Sequence, residues 1–168
     1  MRKLLCFALI FCCLFGICAC ADDNAVPEDS VTVYFKREKP VFGTADGMIA
    51  ATYLYAEGHK QDHTYLLNKY FRTVPDAGLV SAFPSGLAII SFKLEGLTAK
   101  VVLTDCIADL SGMELTIALV CITQTVMSLT GCQEVIISAY SRQQAGQNFI
   151  TLNRDSYLLL DNSGAPQN

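Results

Sequence analysis

The chain has 168 residues, with 12 Lys and Arg against 16 Asp and Glu, two His and no Trp. A formal net charge of −4 argues against nucleic acid as a partner, because that binding rests on neutralising phosphates with Lys and Arg. Hydrophobic residues make up 52% of the sequence and the mean hydropathy is +0.35, but both values are raised by an N-terminal leader that contributes nothing to a fold.

That leader comes first in chain order. Arg2 and Lys3 give a short positive head, and Leu4 to Ile17 then run apolar without a charge. At about 14 residues the run is short for a membrane span, which needs about 20, and its order of charge, apolar core and small residues is that of an export signal. Ile17-Cys18-Ala19-Cys20 resembles a bacterial lipobox, so Cys20 is expected to be lipidated, with palmitate as an expected chain, and to become the first mature residue. Cleavage removes Arg2 and Lys3 and leaves ten cations against sixteen acids, a mature charge of −6. Asp22, Asp23, Glu28 and Asp29 read as a solvated tether. Ten extended residues from Ala21 to Ser30 reach no more than about 35 Å, so the domain is expected to work close to the cell membrane, on its extracytoplasmic face.

The division is therefore residues 1–19 as leader, 20–30 as lipidated Cys and tether, 31–161 as one domain, and 162–168 as a C-terminal tail. Val31 to Phe35 is β-branched and aromatic, as a strand should be, and Met48 to Ala56 reads as a second strand. Asp62 can cap a helix from about His63 to Thr73, with Leu66, Leu67, Tyr70, Phe71 and Val74 on one apolar stripe. Leu87 to Leu94 and Ala99 to Leu103 flank Glu95-Gly96-Leu97 as an antiparallel hairpin. Ser111-Gly112-Met113-Glu114 has the capping-box pattern. Leu115, Leu119, Ile122, Val126 and Leu129 then repeat at helical spacing up to Gly131, which sits where a helix would end. Val135 to Tyr140 reads as a further strand, and Phe149 to Leu152 and Tyr157 to Leu160 as shorter ones. Two helical stripes and several strands predict an α+β, two-layer domain with both helices packed on one face of a mixed or antiparallel sheet.

Chemistry is sparse along the chain. His59 and His63 are four apart, but the Asp62 cap starts the helix after His59 and separates the rings, so no metal is expected. Asp105, Asp109 and Glu114 cluster where the second helix begins, and helix N-termini favour negative charge without any catalytic role. Gly-x-Ser-x-Gly is absent, and no cofactor or enzymatic activity is expected. Cys106, Cys121 and Cys132 lie in apolar surroundings and read either as buried small hydrophobes or as one internal disulfide plus a free thiol, if the compartment is oxidising. From Leu115 to Gln133 no residue is charged. Thr116, Thr123, Gln124 and Ser128 would form an uncharged polar face on that helix, either an ordinary or tail-covered flank or a protein interface, whose core is depleted of charge. A membrane-spanning reading of the helix fails on its polar content.

The order of segments resembles the GerM domain, a family named for a sporulation and germination lipoprotein. Val31 to Phe35, Leu79 to Gly86 (LVSAFPSG), Val101 to Thr104, and Ser111 to Tyr140 stand where family members have their opening strand, an L-x-S-A-I-P-x-G segment, a strand and a long helix with a final strand. Val102 and Thr104 replace a usual Asp and Ser, so no ligand role passes to those positions. The resemblance implies a ring-building-motif-like fold and a noncatalytic module that scaffolds an envelope assembly, with self-association among its partners. A peptidoglycan or small-ligand binding module is the second reading, with Tyr53, Tyr55, Tyr65 and Tyr70 available to stack on sugar rings.

Overall fold

The computed structural model describes residues 27–43, 47–146 and 150–153. The leader, Cys20, most of the tether, the expected strand at Tyr157 to Leu160 and the tail at 162–168 lie outside the described residues. The elements run β1 (Ser30–Arg37), β2 (Ile49–Tyr55), α1 (His63–Arg72), β3 (Leu79–Val80), β4 (Ile89–Glu95), β5 (Thr98–Leu103), a 3-10 turn (Asp105–Asp109), α2 (Gly112–Thr130), β6 (Glu134–Ala139), α3 (Tyr140–Gln144) and β7 (Ile150–Asn153).

The fold is α+β. Its strands divide between two sheets rather than gathering in one: an antiparallel sheet ordered β2-β1-β3, and a mixed sheet ordered β4-β5-β6-β7. In the second sheet β5 and β6 run parallel, with α2 in the connection between them, while the β4–β5 and β6–β7 pairs are antiparallel. The expected hairpin is present, with Glu95 opposite Thr98 and Gly96-Leu97 as its two-residue loop.

Side chains, not a strand, occupy the edge of β1 that faces away from β2. Tyr34 donates its N–H to Thr125 Oγ1 at 3.0 Å, and its carbonyl accepts the hydroxyl of Tyr70. Both helices thus satisfy one residue of β1, and only Lys36 and Arg37 pair with β3 on that side.

Asp62 caps α1 as expected, accepting the Tyr65 N–H at 2.9 Å. The helix buries Leu66, Leu67, Tyr70 and Phe71, each such side chain stabilising the fold by about 1.5–3 kcal/mol. Tyr70, Phe71 and Phe35 close around Phe83, with ring centroids 4.9 to 6.4 Å from it. That contact fixes the Ser81–Pro84 segment against the core.

α2 departs from its expected single stripe. Ten consecutive or near-consecutive residues between Ile117 and Met127 are buried, and they point in every direction around the axis. One side packs with Ile49 of β2, and another joins the main core with residues of β5 and β6. An all-round apolar helix is a buried one, which explains a segment long and apolar enough to cross a membrane by length and composition. The capping box does not form either. Ser111 makes no side-chain cap bond, and the chain enters the helix through Gly112 at φ +55°. The other end is as expected, with Gly131 left-handed and its N–H on Met127 O at 2.9 Å.

Two boundaries shift. Asp29, read as tether, belongs to the domain: its carbonyl accepts the Ala56 N–H and its carboxylate the Gly58 N–H, both at 2.7 Å. Tyr140, read as the end of a strand, begins α3, because Asp105 reaches across to accept the Ser141 N–H at 2.8 Å.

Candidate functional site

The four polar positions of α2 do not share one open face. Thr116 and Ser128 are exposed and Gln124 is half-buried, but Thr123 is fully buried, with a hydroxyl that has no hydrogen-bond partner among the described residues. Thr116 and Ser128 are also twelve residues apart, about 18 Å along the axis. Thr123 is therefore removed from the expected interface. The missing charge on this helix is a consequence of burial, since an ion there would lie unpaired in the core.

The strand β2 carries a more open surface, which includes two of the tyrosines expected to stack on sugars. This strand ends its sheet, with no strand paired to its outer edge among the described residues. Tyr34 turns its N–H and C=O away from β2, which makes the Tyr34–Ala51 pair a non-hydrogen-bonded one. By the alternation of an antiparallel ladder, Ala51, Tyr53 and Tyr55 then direct their own N–H and C=O groups outward. Their side chains are exposed on one face, Tyr53 at 45% and Tyr55 at 59%.

The end of that strand carries a charged and aromatic cluster. Lys69 Nζ sits 5.8 Å from the centre of the Tyr55 ring and 2.8 Å from Glu57 Oε1. Tyr65 donates its hydroxyl to the other oxygen of Glu57, and the His59 ring lies 4.3 Å from the Tyr65 ring. The hydrogen bond from Lys69, then that from Tyr65, holds the Glu57 carboxyl below its ordinary range, while Glu57 raises the Tyr65 phenol. Tyr70 has no place in this cluster. It is fully buried, so of the four tyrosines expected to stack on sugars it is excluded.

The other groups with chemistry are dispersed. His63 packs on Phe92 with centroids 5.3 Å apart, away from His59, and among the described residues no three potential metal ligands come together. Cys106, Cys121 and Cys132 are free thiols, the last two buried. Burial pushes the Cys121 thiol up to about 12, which keeps it protonated. Two clefts remain. One of about 670 Å³ lies at the C-terminal end of α2, between Leu97, Met127, Cys132 and Glu134. One of about 160 Å³ lies between the Ser81–Pro84 segment and the start of α2.

No family model matches the chain, and no curated protein matches it. Among solved structures, it is similar to the tandem GerMN domains of the sporulation protein GerM from Bacillus subtilis, at 16% identity and a TM-score of 0.48. The similarity covers 66% of this chain and 38% of that one.

Proposed function

We propose that the chain is a membrane-anchored envelope lipoprotein whose single domain binds protein without catalysis, within a sporulation- or wall-associated assembly. Location rests on the leader and on Cys20 in its lipobox-like setting. The GerM-like role rests on the ordered segments from Val31 to Tyr140. The observation that carries the binding role is the outer edge of β2, where outward backbone groups stand beside exposed Tyr53 and Tyr55. Such an edge accepts an added strand, with main-chain bonds for affinity and alternate side chains for selection. Tyrosine is enriched at interfaces because it offers large contact area with a polar tip.

Crosslinking followed by recovery of the tagged full chain tests this. Tyr53→Lys with Tyr55→Lys should abolish partner recovery, whereas Thr116→Lys should not. Recovery unchanged by the double substitution would sink the assignment of this edge. Cys20→Ala should abolish palmitate labelling of the chain and release it from membranes.

The exposure of Tyr53 and Tyr55 also favours a second reading, stacking on wall glycan. Sedimentation with intact peptidoglycan separates the two, because only glycan binding requires the purified chain to co-pellet.

A further inference from the structure

The small cleft between the Ser81–Pro84 segment and α2 has a chemistry independent of the β2 edge. Lys36 of β1 and Glu114 of the first turn of α2 both line it, and neither forms an ion pair among the described residues. Ala82, Phe83, Leu110 and Ile117 give it apolar walls. We propose that this cleft binds a small zwitterion, a free amino acid of about six to eight heavy atoms, whose carboxylate meets Lys36 and whose ammonium meets Glu114.

Three observations select that class. Charge comes first: a simple anion would be attracted by Lys36 and repelled by Glu114, and a simple cation the reverse. Only a ligand with both signs satisfies both groups, and in a peptide terminus only one of the two charges remains. Size comes second. A cavity of about 150 Å³ accommodates benzene, with six heavy atoms, and this cleft measures about 160 Å³. Rigidity comes third. Phe83 is held by Phe35, Tyr70 and Phe71, and its N–H bonds Ser81 Oγ at 3.3 Å, so the wall stands in place before the ligand arrives. Ser81 lines the same cleft and keeps its hydroxyl proton available to a carboxylate.

Equilibrium dialysis of the full chain in detergent against labelled L-alanine tests the proposal. Saturable binding is expected, weakened about tenfold or more for N-acetyl-L-alanine and for L-alaninamide, each of which lacks one charge. Glu114→Gln and Lys36→Met should each weaken L-alanine by a similar factor. Lys36 lies in a paired strand, so its variant also requires a retained thermal unfolding transition. Glu114 is exposed on a first turn and its conversion to Gln leaves the core untouched. No saturable binding of L-alanine, equal binding of either blocked analogue, or unchanged binding by Glu114→Gln would each overturn the proposal.

Discussion

Thr125 Oγ1 accepts the backbone N–H of Tyr34 across 91 positions of sequence, at 3.0 Å. A threonine in the middle of an apolar helix thereby completes a strand. Removing that hydroxyl leaves a buried N–H without an acceptor, which costs about 1–3 kcal/mol. Thr125→Val should lower the unfolding free energy measured by urea denaturation by that amount, and Thr125→Ser should recover most of it. Equal stability of Val and Ser variants would mean that the bond contributes nothing.

Gly112 and Gly131 bracket α2 with positive φ, +55° and +71°. A Cβ added at either position meets no atom within 4 Å, so the cost of substitution comes from backbone conformation alone. Gly131→Ala and Gly112→Ala should each destabilise by about 1–2 kcal/mol. Chemical denaturation would show this, and a neutral Gly112→Ala would mean that the helix can be entered another way.

Asp105 holds the start of α3 from outside that helix, through the Ser141 N–H. Asp105→Ala should speed hydrogen exchange at Ser141 and lower stability by about 1 kcal/mol. Protection at Ser141 that survives the change would point to a different acceptor.

Alkaline pH should destabilise the fold. Burial raises the Cys121 thiol from an ordinary 9.0 to about 12, and raises the Tyr70 phenol well above 10.0. The folded chain therefore keeps protons that the unfolded chain has released. This contribution to stability is full below pH 9 and is lost as pH climbs toward 12. Urea midpoints should hold steady near neutrality and fall above about pH 9, less steeply in Cys121→Ala. A wild-type midpoint that stays level through pH 10 would contradict a buried thiol at this position.

Tyr53 and Tyr55 lie outside the core, so Tyr53→Lys with Tyr55→Lys should change unfolding free energy by no more than about 0.5 kcal/mol per site. A larger loss would show that these rings support the sheet and would remove them as an interaction surface.

Much of this fold was legible locally. VTVYF at Val31 to Phe35, the Asp62 cap, the Gly96-Leu97 hairpin loop and the Gly131 stop each act over a few residues, and each stands where its chemistry puts it. The surroundings of α2 were not legible. Leu115, Leu119, Ile122, Val126 and Leu129 do trace a stripe, yet Leu115 and Leu129 are only half-buried while Cys121 and Thr123, off the stripe, are fully buried. A spacing rule assumes one buried side, and here residues from both sheets cover the helix. The division into two sheets escaped for a related reason. The pairing edge of β1 is closed by Tyr70 and Thr125 side chains, which no strand pattern records. The surface on β2 was half-visible: Tyr53 and Tyr55 are two apart and share a face by pleat alone, and Tyr70 already stood in an apolar helical stripe that implied its burial.

The parallel pairing of β5 with β6 has a consequence for how the chain is made. In any order that runs from the N-terminus, Thr98 is available well before Glu134, its partner in register. During that interval the inner edge of β5 has no neighbour, and the β4–β5 hairpin is an unfinished sheet with exposed hydrogen-bonding groups. A chain truncated between Thr130 and Glu134 would carry that live edge together with the uncovered apolar sides of α2. Such fragments would be prone to aggregate, and the sheet is closed only when the chain through Ala139 is present.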